Sequence, residues 1–184
     1  VIIKIGKWVI TQVCEDHKRW QNMGLPSIKV AANVPGIQLM ESDFANKIKN
    51  IIDEYGLSPE FLIIEITENV LLKNTDKLLS HIETLRSFGI QIALNNFGTG
   101  FSSFAYLNKF HVDIIKLNGS FLKGVPLNST NCAIVESVIQ LARGLKIKLV
   151  IEGIENWDQL TYLKYLNCYA GKGYLYGEGV DSEE

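Results

Sequence analysis

The chain has 184 residues, 47% of them hydrophobic and 21% charged, with a mean hydropathy of +0.10, the composition of one globular domain with a full core. The formal net charge is −2 and no basic tract occurs, which argues against a nucleic-acid duplex as partner and still allows a small anion in a locally positive pocket. No apolar run reaches the roughly 20 residues of a membrane span, and the opening VIIKIGKWVI carries Lys4 and Lys7 without a small-residue cleavage site, so it does not read as a signal peptide.

In chain order, a helix is expected over Ile2 to Gln21 and a first strand over Ile28–Val34. The stretch Phe44–Tyr55 places Phe44, Ile48, Ile51, Ile52 and Tyr55 at helical spacing, and Phe61–Thr67 (FLIIEIT) reads as a second strand. Asp76–Phe88 carries Leu78, Leu79, Ile82, Leu85 and Phe88 on one stripe and leads into a strand at Gln91–Asn95. Strands at Asp113–Leu117 and Lys148–Glu152, helices at Asn131–Leu145 and Trp157–Leu166, and a weaker strand near Cys168–Gly171 complete the pattern. Gly56, Gly89 and Gly144 stand where helix C-terminal caps belong. Most strands are near-continuous apolar runs, as in a parallel sheet covered on both faces. No linker or composition shift interrupts the order, so residues 1–184 read as a single domain.

Cys14, Cys132 and Cys168 are far apart and show no CxxC spacing, which reads as reduced core thiols in a cytoplasmic protein or in the cytoplasmic part of a larger signalling protein. His17, His81 and His111 are scattered and read as surface or capping residues.

Repeated strand–helix units make either an open doubly wound sheet or a closed (β/α)8 barrel. Neither GxGxxG after the first strand nor GxxxxGK[ST] occurs, which leaves dinucleotide and P-loop binding without support. Polar residues fall at successive strand ends: Asn33, Glu65, Asn95 with Asn96, Lys116 and Glu152. In a barrel those ends converge on the face that carries the active site. Asn33 and Glu65 offer oxygens to a hard cation such as Mg²⁺. Glu152 offers the same, or a general base, and Lys116 offers positive charge to a phosphate. Taken singly, Lys116 reads equally as a snorkelling lysine, and Glu65 and Glu152 as its ion-pair partners.

The ordered motifs resemble the EAL family of cyclic di-GMP phosphodiesterases, a variant TIM barrel, over nearly the whole chain. VAANVPGIQL is similar to the family strand with a metal-binding asparagine, here Asn33. LIIEITEN resembles its ExTE motif, which implies Glu65 as a metal ligand and Glu68 as the residue propping the loop after the next strand. IALNNFGTGFSSFAYL resembles DDFGTGYSSLSYL, and IIKLNGSF resembles the KIDRSF segment, with Lys116 as the catalytic-site lysine. VIEGIENWDQL resembles the AEGVET segment, which implies Glu152 as a metal ligand or base-associated carboxylate and Glu155 as a supporting residue behind it. GKGYLYG is similar to the final QGY segment.

The departures are as informative as the matches. Asn95 and Asn96 stand where the family has paired metal-holding aspartates, Asn118 where it has an aspartate, and Lys172 where it has a glutamine. Divalent cations need that negative charge, so Mg²⁺ or Mn²⁺, the family's metals, are expected to bind weakly or not at all. The family's naming strand, with a glutamate ligand and an arginine for the ligand's phosphate, is absent from these residues, which align downstream of it. Six strand candidates stand against the family's eight, which implies either a fragment of a longer protein or completion by a partner or a second copy. At the other end VDSEE stops where the family continues into another helix. Three functions follow as alternatives: a degenerate receptor or regulatory module for cyclic di-GMP, an active phosphodiesterase giving pGpG, or an interaction module that binds neither nucleotide nor metal. In the first, Lys172 and Lys116 would hold the nucleotide without metal.

Overall fold

The computed structural model of the chain describes residues 1–71, 76–99, 107 and 109–182. Six parallel strands form one sheet: β1 (Val30–Asn33), β2 (Leu62–Thr67), β3 (Gln91–Phe97), β4 (Ile114–Leu117), β5 (Lys148–Ile151) and β6 (Ala170–Gly171). Their spatial order is their sequence order, β1-β2-β3-β4-β5-β6. A doubly wound sheet reverses direction at a switch point. Here every crossover moves one strand along in the same sense, as in a TIM barrel, so the sheet is a partial (β/α)8 barrel of six strands.

Helices Ile2–Asn22, Phe44–Glu54, Asp76–Ser87, Ser129–Gly144 and Trp157–Tyr165 cover the outside. The core lies between them and the strands, with Ile52, Leu62, Ile64, Leu78, Leu85, Ile92, Ile115 and Ile151 fully buried. Burying each such side chain is worth about 1.5–3 kcal/mol, and together they drive the layering. The interior strands are buried on both faces. β1 is exposed at Ala31 and Asn33, because it has β2 on one side and no strand on the other among the described residues.

Several expectations change at this level. The first strand shortens to Val30–Asn33, the third runs on to Phe97, and the weak sixth strand shrinks to the pair Ala170–Gly171. Gly56 and Gly89 take the left-handed backbone of helix C-caps, with φ of 61° and 93°. Gly144 instead stays inside its helix, and Lys146 takes the left-handed position at φ 58°. His17 is a core residue, 2% exposed and stacked on Phe61 with ring centroids 4.2 Å apart, because its face of the first helix packs against the entry to β2. The rest of the segment IALNNFGTGFSSFAYL runs into residues 100–106 and 108, outside the described residues.

Candidate functional site

The carboxyl ends of the strands meet because the register aligns them. Asn33 of β1 pairs directly with Glu65 of β2, and Thr67 of β2 with Asn95 of β3. Side chains alternate between faces along a strand, so Glu65 and Asn95 reach the same side from neighbouring strands. Asn95 Nδ2 donates to Glu65 Oε2 at 3.0 Å and to Asn33 Oδ1 at 3.2 Å. From β4, Lys116 Nζ donates to Glu65 Oε1 and lies 3.9 Å from Glu152 Oε1. Lys172 completes the row, its Nζ 4.0 Å from Glu152 Oε1. It is held there by its backbone, which donates to Ile151 O (2.9 Å) and accepts from Ile154 N–H (3.1 Å).

Two consecutive asparagines would point to opposite faces of a regular strand. Between Leu94 and Phe97 the register of β3 against β4 shifts: Leu94 pairs with Ile115, but Phe97 pairs with Leu117. The extra residue is a bulge, and Asn96 within it has φ 57°. Asparagine tolerates that left-handed conformation better than most residues. Re-aimed in this way, Asn96 Oδ1 accepts from Asn118 Nδ2 at 3.0 Å, while Asn118 Oδ1 caps the following turn by accepting from Ser120 N–H at 2.9 Å.

Behind this row, the loops after β4 and β5 touch through glycines. A Cβ on Gly153, whose φ is 76°, would come within 2.8 Å of Gly119 Cα, and one on Gly119 within 3.0 Å of Glu152 O. Only a pair without side chains lets the loop carrying Glu152 approach so closely. Sequence reasoning did not single out this pair. Its one signal was a glycine directly after Asn118 and another directly after Glu152.

Glu68 and Glu155 lie apart from the row. Glu68 is 7% exposed at the start of the short helix Glu68–Leu71, and neither carboxylate oxygen has a hydrogen-bond partner among the described residues. Glu155 is exposed, and its backbone N–H donates to Gln159 Oε1 at 2.8 Å.

The donor set can be tested against a divalent cation. Mg²⁺ takes oxygen ligands in near-ideal octahedral geometry. The Asn95 amide is oriented by its Oδ1, which accepts from the Asn96 N–H at 2.7 Å. Turning it over would set two donors against each other. Asn95 therefore presents N–H groups, not an oxygen, to Asn33 and Glu65. Lys116 occupies the other oxygen of Glu65. Among the described residues no cluster of three His, Cys, Asp or Glu side chains is placed to hold a metal ion. In this arrangement the residues do not fit Mg²⁺ or Mn²⁺. They form a closed network in which Glu65, only 4% exposed, is neutralised by the half-buried Lys116 and hydrogen-bonded by an amide.

A parallel partial barrel with a polar row at its carboxyl strand ends defines the class, and the sequence comparison defines the family. The EAL domain profile matches residues 1–178, and the chain belongs to that family. Over its full length it is 30% identical to the bifunctional diguanylate cyclase/cyclic di-GMP phosphodiesterase MucR of Pseudomonas aeruginosa, and over 96% of its length 31% identical to the cyclic di-GMP phosphodiesterase NbdA of the same organism. It spans 27% and 22% of those two proteins' own lengths. Its fold superposes on the MucR phosphodiesterase in complex with c-di-GMP with a TM-score of 0.92 at 30% identity, covering 99% of this chain and 74% of that one. The EAL domain of Mycobacterium smegmatis DcpA gives 0.94 at 29% identity, covering 100% and 82%. A calcium/cyclic di-GMP complex of Klebsiella pneumoniae BlrP1 gives 0.80 at 25%, covering 92% and 43%. Among the described residues no helix is long and apolar enough to cross a membrane.

Proposed function

We propose that this chain is a regulatory module of cyclic di-GMP signalling that binds the nucleotide without hydrolysing it. The observation that carries the reading is the Asn95 amide donating to both Asn33 Oδ1 and Glu65 Oε2. It engages the oxygens that a catalytic metal would need, in a family whose relatives include cyclic di-GMP phosphodiesterases. Amide and ammonium groups take over the charge balance at this mouth. Lys116 stays committed to Glu65. Lys172, with its side chain 73% exposed and a 4.0 Å ion pair to Glu152 Oε1, is the cation best exposed to an incoming phosphate. An ammonium is a compact point charge suited to that task, and Lys116 adds positive potential from behind. The single-domain reading of residues 1–184 belongs to the same proposal, as one part of a larger signalling protein completed by its other domains, a partner protein or a second copy of the chain.

Two measurements test it. Incubation of the purified chain with cyclic di-GMP and Mg²⁺ or Mn²⁺ is expected to yield no pGpG. Turnover that disappears in Glu152→Ala would establish the competing reading, a working phosphodiesterase. Titration calorimetry in EDTA is expected to show binding that weakens about tenfold in Lys172→Gln, the loss of one charge-assisted contact. No binding with or without metal would leave the protein-interaction module in its place.

A further inference from the structure

The opposite end of the barrel carries a second cationic feature, away from the mouth. A cavity of about 300 Å³ opens where β3, β4 and β5 begin. Its apolar wall is formed by Leu107, Val112, Leu145 and Ile147. Its charged side chains are Arg86, His111, Asp113, Lys146 and Lys148. Leaving His111 aside, that is three cations against one carboxylate, on a chain whose formal charge is −2.

The one carboxylate is already used. Asp113 Oδ1 accepts from Arg86 Nη2 at 3.1 Å, and its Oδ2 from Arg86 Nε at 3.3 Å and from Ile92 N–H at 2.9 Å. That bidentate pair occupies the Nε/Nη2 edge of Arg86. Lys146 and Lys148 have no carboxylate within ion-pair distance among the described residues, and Lys148 Nζ lies 5.5 Å from the Tyr169 ring centroid. A further lysine reaches the same edge, because Lys29 Nζ donates at 2.6 Å to Oε1 of Gln91, which also lines the cavity.

Lys146 stands in the left-handed position that ends the helix Ser129–Gly144, where its N–H donates to Arg143 O at 3.0 Å. Glycine would fit there with about 1 kcal/mol less strain. Lysine instead puts an ammonium at the negative end of the helix and at the cavity rim.

We infer that this cavity is a binding site for a small organic phosphomonoester, its phosphate held by Lys146 and Lys148 and its body against Leu107, Val112, Leu145 and Ile147. A phosphate is favoured over a carboxylate because Asp113 neutralises Arg86 and holds its Nε/Nη2 edge. What remains are two ammonium groups, which suit the tetrahedral, doubly charged anion. The volume lies at the lower end of the range for small-molecule pockets, enough for a phosphate with one ring attached.

Titration calorimetry of the whole chain with phenyl phosphate at low ionic strength tests the inference, with benzoate as the carboxylate arm. Saturable binding of phenyl phosphate is expected, at least about tenfold tighter than benzoate. It should fall by tenfold or more in the double variant Lys146→Gln/Lys148→Gln, as expected for lost charge-assisted contacts, and stay unchanged in Lys164→Gln, an exposed lysine of the helix Trp157–Tyr165. A thermal melt matching the parent's shows that the double variant is folded; if it is not, Lys146→Gln alone replaces it, with at least a threefold loss expected. Absence of binding, equal affinity for benzoate, or indifference to the lysine changes would overturn the site. An equal loss in Lys164→Gln would also overturn it, by making the effect one of overall charge. The failure of cyclic di-GMP to bind at the mouth leaves this result unaffected.

Discussion

Replacing Asn95 by aspartate asks whether the mouth is built around an amide. The change keeps the shape and removes both N–H donors, which reach Glu65 Oε2 at 3.0 Å and Asn33 Oδ1 at 3.2 Å. In their place stands an anionic oxygen beside a carboxylate only 4% exposed. The lost hydrogen bond to the Glu65 carboxylate is worth about 1.5–3 kcal/mol and the one to the neutral Asn33 amide about 0.5–1.5 kcal/mol. Two unit charges 3 Å apart repel by about 5 kcal/mol at an effective dielectric of about 20, and Lys116 on the far side of Glu65 offsets part of that. A net destabilisation of about 3 kcal/mol is the working figure, which for a chain of this size lowers Tm by about 6–12 °C. The assay is thermal melting of parent and variant in EDTA and again in millimolar Mn²⁺. Asn95→Asp should melt well below the parent in EDTA and recover in Mn²⁺, because a divalent ion between the carboxylates replaces the missing N–H groups. The parent should not respond to Mn²⁺. Asn96→Asp provides the contrast: its oxygen already accepts from Asn118 Nδ2, so Tm should move by less than about 2 °C, as for substitutions that preserve their contacts. A variant at position 95 that melts like the parent in EDTA, or a parent stabilised by Mn²⁺, would refute the closed network.

Gly153→Ala should cost about 1–3 kcal/mol, from a left-handed backbone and a Cβ 2.8 Å from Gly119 Cα; chemical denaturation with an unchanged midpoint would contradict the close approach of the two loops. Burial lowers the pKa of His17 below its ordinary value. The unfolded chain therefore takes up the proton first, and stability should fall as pH drops below about 6.5, the ordinary histidine value. His17→Phe should flatten that limb in melts from pH 7.5 to 5, and an identical slope in the variant would count against it. Burial and, secondarily, the neighbouring Glu15 push the Cys14 thiol up to about 11, so alkylation at pH 8 should label Cys132, which is half-buried, well before Cys14; peptide mapping reads the order.

The number and order of the strands were legible in the amino-acid sequence, because each strand is a short apolar run between helical stripes. The ends of those runs also carried the site: Asn33, Glu65, Asn95, Lys116 and Glu152 are the first polar residues after buried stretches, a pattern that backbone period alone produces. The presence of amides where the family has acids was likewise visible letter by letter. What the sequence could not convey was direction. Asn95 and Asn96 are neighbours with the same side chain, and only the bulge in β3 sends one to Glu65 and the other to Asn118. The Asn95 amide is turned by a single backbone contact to Asn96, a choice between two orientations that no residue type encodes. His17 looked like a surface histidine, because one polar residue on an amphipathic helix gives no sign of which neighbour covers it. Tertiary packing on Phe61 decided its burial. The cationic cavity at the opposite end escaped notice for the same reason: Arg86, His111, Lys146 and Lys148 are spread over more than 60 positions, and only the parallel register of β3, β4 and β5 brings their starts together.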